Sequence, residues 1–284
     1  MVTPEPGMYH GISHNEYHSW SAISNTLLGE LARSPAHLKH AIECPPRATP
    51  SMITGQAIHA SILEPEQFLT EYIAAPIVDK RTKDGKAAWA EFEKLADGKT
   101  ILSVDDHGLC VAVHDSAVKH PAAKAILDAK GETEVSAVWV DPNTDVVCRC
   151  RADDCIDPNI IVDLKTARNG SPQGFKRAIG EYGYYRQAAF YLDGMSGATG
   201  KNYDTFLFLV VEKTPPYAVA CYRLDDQSIE IGRREYTQLL ELYERCLQED
   251  YWPSYTDVVV DISVPGWVIA IDEVNILEAA NANQ

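Results

Sequence analysis

Residues 151–165 read RADDCIDPNIIVDLK. Asp153 stands near the end of one expected strand, and Asp163 and Lys165 stand on the next, over 160–165. Successive strand residues alternate faces, so Asp163 and Lys165 share a face while Leu164 points into the opposite packing layer. An aspartate and a lysine closing an otherwise apolar strand are costly unless paired, hydrated or bound to metal. A site is therefore expected here. Two carboxylates from adjacent strands can converge on one hard divalent cation and leave positions for water and a phosphate oxygen. A lysine beside them can orient that water and offset developing charge. The triplet Asp-x-Lys also suits a plain structural ion pair, so other residues must decide.

The pattern around this stretch sets the fold class. Strands are expected over 134–140 and 146–152, separated by the turn-forming Asp141-Pro142-Asn143-Thr144-Asp145. Further strands are expected near 204–212 and 217–224, and helices near 184–195 and 227–249. Upstream the chain reads as helical. Ser21 or Ser24 can cap a helix bearing Ile23, Leu27, Leu28 and Leu31, and Ser34-Pro35 stops it or starts the next. Residues 45–51 and 79–86 read as loops, with helices near 54–63, 87–97, 105–118 and 121–129. Helices, a three-strand meander, then helix, strands and helix imply an α/β chain with a mixed sheet. The expected organisation is one domain over 1–284: a mainly helical part (1–130), the sheet with its flanking helices (131–255) and a tail (256–284).

Composition bounds the function. Of 284 residues, 45% are hydrophobic and 23% charged, with a formal net charge of −16. This composition is globular, and the charge disfavours non-specific adhesion to nucleic acid or anionic membrane. No apolar run approaches the ~20 residues of a membrane span. The first ten residues lack a signal-peptide pattern. Together with seven cysteines, an odd number, this gives a cytoplasmic expectation. Cys148, Cys150 and Cys155 read as small apolar strand residues rather than a metal site.

Two further elements bear on the site. Gly55-Gln56-Ala57-Ile58-His59 places His59 on a helix, and Gln187 and Tyr191, four apart, share a helical face. Each alone suits a core histidine or a polar helix stripe. Taken in order, however, G-x-x-x-H, Asp, D-x-K and Q-x-x-x-Y resemble the RecB-type branch of the PD-(D/E)XK nucleases. The segments GQAIHASILEPEQF (55–68), EVSAVW (134–139), CRCRAD (148–153) and VDLKT (162–166) resemble RecE-type, exonuclease VIII-like enzymes. The likeness spans roughly residues 8–255.

The resemblance implies a PD-(D/E)XK core with a mixed central sheet flanked by helices. It implies Asp153 and Asp163 as metal-binding carboxylates, the Leu164 carbonyl as a further ligand, and Lys165 as the catalytic lysine. His59 corresponds to the histidine near a second metal position. Gln187 and Tyr191 correspond to the helix that orients the lysine or meets DNA. Glu134 falls where related nucleases can place an extra acid. Asp154 competes with Asp153, and Arg-Ala-Asp resembles the family's Arg-Pro-Asp, which favours Asp153. Magnesium is the implied cofactor; manganese also suits the site, given His59. Ser34 stands where cluster-binding relatives have a cysteine and no cysteine follows Cys246, so no iron–sulfur cluster is expected.

The implied activity is digestion of duplex DNA ends, 5′ to 3′, releasing 5′ mononucleotides and leaving 3′ single-stranded tails. The implied partners are a homo-oligomeric ring and a RecT-like single-strand annealing protein acting in recombination. Rival readings are an endonuclease or opposite-polarity nuclease, a catalytically idle DNA-end-binding subunit, and a hydrolase of small phosphate esters. The charge is unevenly placed. Residues 225–284 hold thirteen acids against three arginines, whereas 149–186 hold seven basic residues against five acids. Lys80, Arg81, Lys83 and Lys86 form another basic run. A local basic groove on an acidic body can hold DNA.

Overall fold

The computed structural model describes residues 3–45, 48–156 and 158–266. The chain opens with strand β1 (Gly7–Tyr9) and helices α1 (His14–Ser19), α2 (Asn25–Arg33), α3 (Pro35–Glu43), α4 (Pro50–Leu63) and α5 (Pro65–Glu71). Strand β2 (Tyr72–Ala74), helix α6 (Lys83–Leu95), strand β3 (Thr100–Leu102), α7 (Val104–Lys119) and α8 (Pro121–Leu127) follow. The meander is β4 (Gly131–Val140), β5 (Val147–Ile156) and β6 (Ile160–Ala167). The chain continues through α9 (Pro172–Tyr182), α10 (Tyr184–Thr199), β7 (Thr205–Glu212), β8 (Val219–Arg223) and α11 (Asp226–Glu249).

Capping chemistry sets many of these boundaries. The Ser24 hydroxyl accepts from the Leu27 N–H to start α2, and Ser34 caps α3 with Pro35 in its first turn. The same device shortens both expected loops. Thr49 caps α4, so the helix begins at Pro50 rather than near 54, and Thr82 caps α6, so residues 83–86 are helical. Pro46 and Arg47 of the first loop, and 267–284 of the tail, lie outside the described residues.

Six strands form one mixed sheet in the order β1-β4-β5-β6-β7-β8. Within this sheet β6 and β7 are the parallel pair, because α9 and α10 form the crossover between them; β2 and β3 pair in parallel as a separate two-stranded sheet. Strand β1 pairs with β4, so the start of the mainly helical part is stitched into the sheet. Each face of the sheet buries a separate core. One packs Leu28, Leu31, Phe175, Phe190, Met195 and Phe208 under α2, α9, α10 and α11. The other packs Ile58, Ile62, Val113, Val162, Leu164 and Leu209 under α4 and α7. Each fully buried side chain of this size contributes about 1.5–3 kcal/mol relative to exposure. Cys148 and Cys150 are fully buried in the core on β5, Cys155 packs half-buried against it, and all seven cysteines are free thiols.

α10 and α11 approach backbone to backbone. A Cβ added to Gly232 would lie 2.2 Å from the Tyr185 carbonyl oxygen. That oxygen is fixed in a helix and cannot yield cheaply. Gly232→Ala is therefore expected to destabilise the fold by about 1–3 kcal/mol, read as a lower urea midpoint with an unchanged m value.

Candidate active site

The site begins where two strands part. β5 and β6 pair only through Asp154–Val162, Cys155–Ile161 and Ile156–Ile160. Beyond that point β5 stays with β4 and β6 stays with β7. Asp153 and Asp163 are the first residues inside the resulting wedge. The Leu164 N–H, freed from a β5 partner, donates to Asp153 Oδ2 at 2.7 Å. The alternation of faces also slips here. Ala152 packs with the α10 core, and so does Cys155, three residues on.

β4 contributes the matching irregularity. Thr133 faces Asp154 and Val135 faces Ala152, which sets Glu134 against Asp153. Glu134 holds φ at 53°, a left-handed conformation costing a non-glycine residue roughly 1–2 kcal/mol. Helix α4 brings His59 over the same spot, with Nδ1 3.5 Å from Asp153 Oδ2. One ligand atom from each of His59, Glu134 and Asp153 lies within 4.8 Å of the others. This nitrogen-and-oxygen set suits one divalent cation.

Asp163 and Lys165 face α10, as the alternation of β6 requires. Gln187 Nε2 donates to Asp163 Oδ1 at 2.5 Å. Asp163 Oδ2 is buried and receives no hydrogen bond of good geometry, although Lys165 Nζ stands 2.6 Å away. The Lys165 ammonium also lies 4.7 Å from the centre of the Tyr184 ring.

Ionisation follows from burial and these partners. Burial opposes charge on His59, yet Asp153 overrides it and raises the imidazole. Burial likewise opposes charge on Asp153, but His59, Lys165 and the Leu164 N–H together hold its carboxyl below the usual range. Burial raises Asp163 despite the pull of Lys165. Lys165 is also raised: desolvation would lower it, but Asp163 and Asp153 prevail and keep it an ammonium. Glu134 is pushed up to about 7, first by burial and then by Asp153, with Arg151 at 3.7 Å opposing.

A cation must expel the Glu134 proton to use that oxygen. Metal affinity is therefore expected to fall as pH drops from 8 to 6, with proton release on binding. Manganese calorimetry in two buffers of different ionisation enthalpy reads both effects. Affinity independent of pH across that range would exclude Glu134 as a ligand.

The structure brings together His59, Glu134, Asp153, Asp163, Leu164, Lys165 and Gln187. Gln187 reaches the carboxylate rather than the lysine. Tyr191 packs edge-on to Phe206 in the core and makes no hydrogen bond among the described residues. Asp154 pairs with Val162 and stands outside the His59–Glu134–Asp153 group; burial pushes its carboxyl up to about 6. The sequence pattern assigns nothing to 166–183 and so misses α9 and its terminal Tyr182. Ser171-Pro172 at its start and Gly183 at its end were the available signals.

Comparison with known proteins agrees with this architecture. Residues 21–259 match the PDDEXK-like domain of unknown function, DUF3799. No curated protein matches the sequence. The fold is similar to that of a candidate exonuclease from Eubacterium rectale, with a TM-score of 0.58 and 11% identity, covering 92% of this chain and 98% of that one. An alkaline exonuclease from Laribacter hongkongensis aligns more loosely, with a TM-score of 0.28 and 15% identity over 69% of this chain and 97% of that one. The mixed sheet, the parting strands with Asp153, Asp163 and Lys165, and a family match over most of its length place one conclusion on firm ground: this chain belongs to the PDDEXK-like DUF3799 family.

Proposed function

We propose that this chain is a metal-dependent nuclease that digests double-stranded DNA from its ends, an exodeoxyribonuclease of the RecE type. The observation that carries the reading is the wedge between β5 and β6, where Asp153, Asp163 and Lys165 meet His59 and Glu134. His59, Glu134 and Asp153 would hold the ion, with Asp163 and the Leu164 carbonyl completing the oxygen donors. A bound magnesium or manganese ion supplies an acidified water and a Lewis acid for the phosphate.

The chain's own groups do the positioning. Lys165 is kept as an ammonium by two carboxylates, so it acts as a hydrogen-bond donor and fixed positive charge rather than as a base. It orients the attacking water and offsets charge on the phosphate. Gln187 holds Asp163 from the α10 side. The water gives up a proton to solvent as its oxygen bonds to phosphorus, the P–O3′ bond breaks, and the 3′ oxygen leaves with the electron pair and takes a proton from solvent. The product keeps a 5′ phosphate. Direction 5′ to 3′, 3′ tails for strand annealing, a ring of subunits and a RecT-like partner follow from the sequence resemblance.

Linear and covalently closed circular duplexes separate this reading from its rivals. With magnesium, the linear form is expected to be degraded to mononucleotides and the closed circle to survive; EDTA stops the degradation. Nicking of the circle would make the enzyme an endonuclease. Binding of ends without any cleavage would make it an idle end-binding subunit.

A further inference from the structure

The helix junction beside Lys165 carries an exposed ring that the hydrolysis above does not use. α9 ends at Tyr182, Gly183 turns the chain in the left-handed region (φ 67°, ψ 35°), and α10 begins at Tyr184. This turn brings the Tyr182 and Tyr184 rings to 5.6 Å between centroids, with planes 35° apart. Tyr184 is packed from behind by Phe175 and Phe208, at 5.9 and 5.8 Å. It also lies against the Lys165 ammonium. Tyr182 is 58% exposed and makes no hydrogen bond among the described residues.

The junction is held rigid. The Arg186 guanidinium packs under Gly183, where a Cβ would meet its Nη2 at 2.9 Å. That guanidinium is itself tied to Glu235 at 2.6 Å and to Asn25 at 3.1 Å. Gly183 therefore cannot easily be replaced, and Tyr182 projects from a fixed support. A single exposed ring is ordinary on a protein surface. This one is continuous, through Tyr184, with Lys165. Arg168, just after β6, and Arg177, in α9, are exposed and form no ion pair with any described residue, while Glu181 directly precedes Tyr182 and acts electrostatically on Tyr184. An aromatic pair set against a fixed ammonium, as Tyr182 and Tyr184 are set against Lys165, is the pairing of side chains used on single-strand nucleic-acid surfaces.

We propose that Tyr182, backed by Tyr184, is a stacking platform for an unpaired nucleobase next to the phosphate that Lys165 faces. The inference rests on the nuclease reading and adds the state of the substrate. A base inside a duplex is covered on both faces by its neighbours, so Tyr182 is open to the outer face of a terminal pair or to a base that has left the duplex, and we take the second. The ligand is a single-stranded end of the strand being cut.

The test is a chemical double-mutant cycle. Short fluorescent single-stranded oligonucleotides, each with one abasic position, are titrated by anisotropy with calcium in place of magnesium. Wild type is expected to lose about tenfold in affinity at one abasic position, the scale of one stacked base. Tyr182→Ala is expected to bind the intact strand about tenfold more weakly and to lose little more at that position. Tyr182→Phe should behave as wild type. Equal abasic losses in wild type and Tyr182→Ala at every position would overturn the platform, and the nuclease reading would stand if duplex is still hydrolysed. A wild type that neither binds oligonucleotides nor cuts duplex would remove both.

Discussion

Lys165→Ala is expected to lower the rate of duplex hydrolysis by at least about 10²–10³-fold while leaving duplex affinity nearly unchanged. The size of the effect follows from the surroundings of the ammonium. Burial alone would favour the neutral amine, but Asp163 and Asp153 keep the proton on it. The chain thus maintains a fixed positive charge at the point where phosphate charge develops. Alanine removes that charge and the ion pair with Asp163 Oδ2. The stranded carboxyl would then rise further and take a proton, which limits the loss of stability to less than that of an unpaired buried charge. Lys165→Arg should fail to rescue, since a planar guanidinium does not replace a compact ammonium. Melting curves and single-turnover rates on the same preparations separate lost chemistry from lost folding. A variant that folds and still hydrolyses at near wild-type rate would remove Lys165 from the mechanism.

Asp153→Asn is expected to weaken manganese binding by about 100-fold or more, and activity with it. The amide oxygen can still accept the Leu164 N–H, so the strand geometry is kept while the charge is lost. His59 simultaneously loses the carboxylate that raises it and should return towards or below its ordinary value. Asp154→Asn is the matched control. Its carboxyl is outside the His59–Glu134 group, so metal affinity should change little. If calorimetry showed the reverse ranking, the two adjacent aspartates would exchange roles.

Much of this arrangement is legible in the sequence, for reasons that particular residues make plain. The period of two in β6 places Asp163 and Lys165 on one face and Leu164 on the other, and the structure has them so. Helix-cap residues such as Ser24 and Ser34-Pro35 mark real boundaries. The loops over 45–51 and 79–86 are shorter than composition suggests because Thr49 and Thr82 cap helices inside them. Glu134 shows the limit of local reading. Its left-handed backbone and its place against Asp153 depend on the slip of faces in β4 and β5, which no alternation rule foresees. His59 looks like a core histidine until α4 is laid across the sheet. Tyr182 has only the caps of α9 as a local signal, because its place depends on the crossover that brings the α9–α10 junction beside Lys165 of β6.

The wedge between β5 and β6 is proposed to hydrolyse phosphodiesters at a DNA end. A linear duplex labelled at either the 5′ or the 3′ end, incubated with magnesium or with EDTA, tests it most directly. Prompt release of the 5′ label with magnesium, absent with EDTA, is the predicted result. Retention of both labels by wild-type protein that demonstrably binds the duplex would contradict the account.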